Sequence, residues 1–143
     1  MAAKKESKTL QDQLNILFGP ELFEETEKKL IFGSVFMIPD DISGIPSLKR
    51  KKGKSYNHPF VVIKYYKETN KIVLCALRTS DLSRRGFFTP ANVLPGLDKD
   101  GVIIIDEQFR IDAQRFVGLM HIGYLPESYV SELKNWIRER KAF

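Results

Sequence analysis

A chain of 143 residues with 43% hydrophobic content is about one domain's worth and can fill a single core. Its formal charge of +5 is a moderate basic excess, compatible with a polyanionic partner but common among ordinary proteins. Cys75 is the only cysteine, which excludes an intrachain disulfide and a thiolate metal cluster and points to a reducing compartment. No apolar stretch approaches the ~18 residues that span a bilayer. The N-terminal "MAAKKESKTLQDQ" also lacks the apolar segment of a signal peptide, so the expectation is a cytoplasmic protein with no membrane contact.

In chain order, Leu10, Leu14, Leu17 and Phe18 recur at helical spacing until Gly19-Pro20 interrupts them. A second short helix follows over about Glu21 to Lys29. From Gly33 the texture changes to short apolar runs that read as strands: "GSVFMI" (33–38), "PFVVIKYY" (59–66), "KIVLCAL" (71–77) and "GVIIID" (101–106), with a weaker one over Gly86 to Phe88. The polar connection "KETN" has hairpin length, so the second and third strands pair antiparallel. Helical periodicity returns over Pro126 to Arg140, with Tyr129, Leu133, Trp136 and Ile137 on one face and Pro126 where a first-turn proline is tolerated.

Two features stand apart from this packing pattern. The first is "LKRKKGKSYN", where Lys49, Arg50, Lys51, Lys52 and Lys54 crowd into the loop between the first two strands. A solvated loop accounts for such a run; a clamp on a phosphate backbone is the sharper reading, because lysines hold phosphates without base specificity. The second is His58, which stands with Pro59 in front of a buried strand and adds nothing to it. Antiparallel pairing places His58 at the same end of the sheet as Arg78, Thr79 and Ser80, with Arg84 and Arg85 shortly after. Imidazole, guanidinium and hydroxyl on one rim suit metal-free cleavage of RNA. A base takes the 2′-hydroxyl proton, an acid protonates the leaving oxygen, and a cation steadies the phosphorane. A histidine before a strand also serves as a capping or packing residue, and Thr-Ser at a strand end also serves a turn.

Other chemistry has less support. The chain has no Gly-rich phosphate loop, no C-x-x-C and no H-E-x-x-H, and with only His58 and His121 a histidine-rich metal site is excluded, so no metal or cofactor is expected. His121, among apolar neighbours in "GLMHIGYL", reads as structural. Asp98, Asp100, Asp106, Glu107 and Asp112 cluster around the fourth strand, where turns and a salt-bridged face explain them.

The order of segments resembles the MazF/PemK toxin family, the endoribonucleases of toxin–antitoxin pairs. "GSVFMI" resembles the family's opening Gly-x-Val strand, "HPFVVI" its Arg-Pro followed by an apolar strand, and "ALRTS" its third strand ending in Thr-Ser. "DKDGVIIIDEQFRIDAQRFVG" resembles its strand, acidic or Gln-containing turn and Ile-Asp-x-x-Arg segment, here Ile111, Asp112 and Arg115. The match spans roughly Gly33 to Phe143.

That resemblance implies an α+β fold, a small SH3-like antiparallel barrel with a C-terminal helix, usually a homodimer. Residues 32–143 are expected to form the barrel domain, and residues 1–31, outside the match, are expected from their helical periodicity to form an N-terminal helical extension. The resemblance further implies metal-independent cleavage of single-stranded RNA and inhibition by an antitoxin protein. Carried over, the family threonine falls on Thr79, and the position of its arginine falls on His58. Histidine carries a proton near neutral pH but lacks arginine's fork and permanent charge. The expected catalytic set is His58, Thr79 and Arg78, with Arg84 or Arg85 as other sources of the cation, and the expected RNA-binding set is Lys49, Arg50, Lys51, Lys52, Lys54, Ser80, Arg84 and Arg85. The alternative is a catalytically degenerate SH3-like module that binds nucleic acid or a protein partner.

Overall fold

The computed structural model describes residues 22–39, 57–79, 86–97 and 99–140. Its elements are a short helix α1 over 22–27, strands β1 (Ser34–Pro39), β2 (Asn57–Tyr66), β3 (Lys71–Arg78), β4 (Phe87–Thr89) and β5 (Gly101–Asp112), a 3-10 turn (Ala113–Phe116), β6 (Met120–Tyr124) and helix α2 (Glu127–Arg140). The strands form one antiparallel sheet in the order β4-β5-β3-β2-β1-β6, curled into a half-barrel against the C-terminal helix. This is the α+β architecture expected. The helix expected over Leu10 to Phe18 lies outside the described residues.

The central strands are continuous apolar runs because the sheet is covered on both faces, which leaves no polar side to alternate with. On one face Val35, Val61, Ile63, Val73, Cys75, Leu77, Ile103 and Ile105 pack against Leu133 and Ile137 of α2. On the other, Phe36, Ile38, Phe60, Val62, Ile72, Leu74 and Ala76 pack with Leu30, Ile111 and Phe116. Each such large side chain, fully buried, contributes about 1.5–3 kcal/mol relative to exposure. Phe36 and Phe116 meet edge to face with centroids 5.0 Å apart.

Local chemistry fixes the turns. Asn70 closes the β2–β3 hairpin with φ 59°, a left-handed conformation that asparagine tolerates. Gly33 enters β1 at φ 91°, where a Cβ would also lie 2.9 Å from Val130 Cγ2, so both backbone and packing require glycine. Three register shifts bend the sheet: one in β2 between Val62 and Lys64, one between β3 and β5, where Cys75 pairs with Gln108 but Leu77 with Ile103, and one between β1 and β6, where Val35 pairs with Gly123 but Phe36 with His121.

Two strand expectations are extended by the structure. The fourth apolar run does not stop at Asp106 but continues as β5 to Asp112, and "MHIGY" is an additional edge strand, β6. Among the described residues no helix is long and apolar enough to cross a membrane.

Candidate functional site

β2 and β3 run antiparallel, and their last paired residues at one end are Phe60 and Ala76. His58 and Arg78 each stand two residues further along, so they share that end. By the strand period of two they also share the face of Phe60 and Ala76. β1 continues to pair where β3 stops: Met37 meets Pro59, Ile38 meets His58 and Pro39 meets Asn57. Proline has no N–H to give to a ladder, which accounts for a break in pairing beside Pro59. The first residues of β2 are thus anchored on one side only.

Here the structure places the expected residues as follows. His58 is half-buried, with its Nε2 sheltered from solvent. Arg78 is held in a fork by Glu107, Nε to Oε1 and Nη2 to Oε2, both at 2.9 Å, and these side chains are only 14% and 18% exposed. Such a bidentate pair fixes the guanidinium plane as well as its position. Thr79 follows directly and is half-buried. Ser80, Arg84, Arg85 and the run Lys49, Arg50, Lys51, Lys52 and Lys54 lie outside the described residues. Their anchor points do not: segment 40–56 leaves from Pro39 and returns at Asn57, and segment 80–85 leaves from Thr79. Both attach at the His58–Arg78 end. Together they hold seven cations and three acids, which is four of the chain's five net positive charges.

Glu107 is the residue that sequence reasoning missed. It stood there as one of several acids explained by turns and salt bridges, and that explanation holds for others: Asp112 pairs with Lys71 at 2.5 Å, and Asp100 accepts from the Ala91 N–H at 2.6 Å. Glu107 reaches Arg78 because β5 carries three extra residues relative to β3 at the register shift, with Ile104 to Glu107 opposite Ala76 alone.

Neighbouring groups are structural. Cys75 is buried, and burial first, then the charges of Asp106 and Glu107, pushes its thiol up to about 12. It is an inert core residue. His121 contacts Ser34 Oγ through Nε2 at 2.7 Å and packs on Phe36 and Tyr124. Burial, then the charge of Lys29, lowers its pKa, which favours the neutral ring in this packing role.

At the level of sequence, no family model and no curated protein matches this chain. Solved structures do match. A chain of the MazE–MazF complex (form III) from Deinococcus radiodurans is 13% identical, with a TM-score of 0.51, covering 78% of this chain and 95% of that one. MazF (form I) from the same organism is 12% identical, with a TM-score of 0.47, covering 78% and 94%. At these identities the likeness speaks to architecture, and the first of the two carries it. The curled sheet with its C-terminal helix is a MazF-like fold.

Proposed function

We propose that this protein is a MazF-like, metal-independent endoribonuclease acting on single-stranded RNA at the β2–β3 rim. The observation that best supports this reading is the convergence of His58, Arg78 and Thr79 at one end of adjacent antiparallel strands, where two segments attach that hold four of the five net charges. His58 is the proton carrier, Thr79 positions the scissile phosphate, and Arg78, oriented by Glu107, contributes the cation. Lys49, Arg50, Lys51, Lys52, Lys54, Ser80, Arg84 and Arg85 hold the flanking phosphates, since the charge of Arg78 is already balanced by a carboxylate. The complex named in the matching structure, MazE–MazF, supports a protein antitoxin as partner. A homodimer and a cytoplasmic location complete the reading.

The same ion pair favours one competing reading. With histidine at the family's arginine position and Arg78 neutralised, the rim would bind RNA without cutting it. Incubation with mixed-sequence single-stranded RNA in EDTA separates the two. Cleavage is expected, and His58→Ala lowers its rate by about 10² to 10⁴, the contribution of a positioned acid or base, with RNA affinity nearly unchanged. RNA left intact by a folded protein would replace the enzyme with the binding module.

A further inference from the structure

The opposite end of the same two strands carries a second constellation. Lys64, Val73 and Arg110 lie in line across β2, β3 and β5, and Tyr66, Lys71 and Asp112 form the next row on the same face. The Lys64 ammonium sits 4.9 Å from the Tyr66 ring centroid and the Arg110 guanidinium 5.8 Å from it. Lys64 and Arg110 are exposed, and Tyr66 is half-buried against the core.

The register shift between Val62 and Lys64 creates this arrangement. Before it, Val62 pairs with Leu74; after it, Lys64 pairs with Val73. Without the extra residue, Lys64 and Tyr66 would face the other side and Tyr65 would stand beside Arg110. A bulge that re-aims side chains in this way is a built feature of a strand. Lys67 and Glu68 occupy the adjoining turn, so this end holds four cations, Lys64, Lys67, Lys71 and Arg110, against Glu68, Asp112 and Glu27, the last bonded to Tyr65. Lys71 is already paired with Asp112, which leaves Lys64 and Arg110 as the cations grouped on the ring.

We infer that Lys64, Tyr66 and Arg110 form a stacking platform for single-stranded nucleic acid, distinct from the β2–β3 rim. A base takes the π-face that the two cations now cover while the exposed cations move onto the adjoining phosphates, which gives binding with little sequence preference. Eight residues of β2 separate Tyr66 from His58, roughly 26 Å of strand at about 3.3 Å per residue. A short oligonucleotide seated at one end does not reach the other.

This inference shares its ligand class with the proposed function but not its residues, and titration of ¹⁵N-labelled protein with oligouridylate separates them. The platform predicts shifts at Lys64, Tyr66, Lys71 and Arg110. Shifts confined to His58, Arg78 and Thr79 would overturn the platform and keep the rim; shifts nowhere would overturn both. In direct binding, Tyr66→Leu keeps an apolar side chain but removes the π-face, and affinity falls about five- to a hundredfold. Tyr66→Phe leaves affinity unchanged. Lys64→Gln with Arg110→Gln lowers the slope of log affinity against log salt by about 1.4, two phosphates on a single strand. Equal affinity for Tyr66→Leu, with the fold verified, would reduce the cluster to packing.

Discussion

Two ion pairs join β3 to β5, one at each end, and they differ in little except water. Arg78–Glu107 is a forked pair with side chains 14% and 18% exposed, whereas Lys71–Asp112 is a single contact at 46% and 53%. Surface pairs exchange one hydrated arrangement for another and contribute little, while a sheltered pair leaves a costly charge behind when one partner is lost. The sheltered pair sits where the ladder is interrupted, β2 is anchored on one side and the basic segments attach. The exposed one sits where the hairpin is closed and its register intact. At the candidate site the charge fork therefore adds to the β3–β5 ladder, in which Arg78 pairs with Val102, where the β2–β3 ladder has ended.

The largest effect follows from breaking that fork. Glu107→Ala or Arg78→Ala is expected to lower stability by about 3 kcal/mol, because either takes the forked partner from a charge in a sheltered position. Replacing both with apolar residues of similar volume recovers much of the loss. Urea denaturation of the two single variants and the double variant checks this. If both single variants lie within about 0.5 kcal/mol of the parent, the fork has no more energetic weight than a surface contact.

A smaller effect is expected at the closed end, where Tyr65 Oη donates to Glu27 Oε2 at 2.6 Å and ties the last residue of the α1 segment to the sheet. Burial first, then the hydrogen bond and charge of Glu27, raises the Tyr65 pKa from 10.0 to about 12. The fold thus favours the neutral phenol. Its contribution is complete below pH 10 and is lost as the pH rises through about 12. Tyr65→Phe should cost about 1 kcal/mol near neutrality, the ordinary net value of such a bond, and should flatten the stability curve in that alkaline window. Melting temperatures from pH 8 to 12 for parent and variant measure both. Parallel curves would mean that the phenol's proton plays no part in holding the segment.

What the sequence disclosed, and what it concealed, follows the same division. The closed end was readable because four polar residues between two apolar runs fix a hairpin, and the hairpin alone brings His58 to the end of Arg78. The apolar runs were readable because both sheet faces are covered. β5 beyond Asp106 was not, since Glu107 to Arg110 emerges from the core and no longer reads as an apolar run. β6 was missed because "MHIGY" is at most half-buried, with Met120 67% exposed and a glycine breaking its pattern. Glu107 was legible only as an acid. Its pairing with Arg78, 29 residues away, depends on three extra residues in β5 that no local composition announces. The reversal of Lys64 and Tyr66 to the face of Val73 is hidden for the same reason, because strict alternation assigns them the opposite face.

The smallest expected effect makes the comparison sharpest. Asp112→Ala removes the partner of Lys71, yet both side chains are about half exposed, so the ammonium left behind stays hydrated. The loss should be between about 0.2 and 1 kcal/mol, and salt should shrink it further, since exposed charges are screened over about 8 Å at physiological ionic strength. Glu107→Ala should respond much less to salt, because its surroundings admit little water. Denaturation of both variants in 0.05 M and 0.5 M sodium chloride gives the contrast directly. A salt-sensitive Glu107→Ala beside a salt-insensitive Asp112→Ala would reverse the assignment of which end of β3–β5 is sheltered. It would also remove the argument that the fork adds to the β3–β5 ladder in holding Arg78 beside His58.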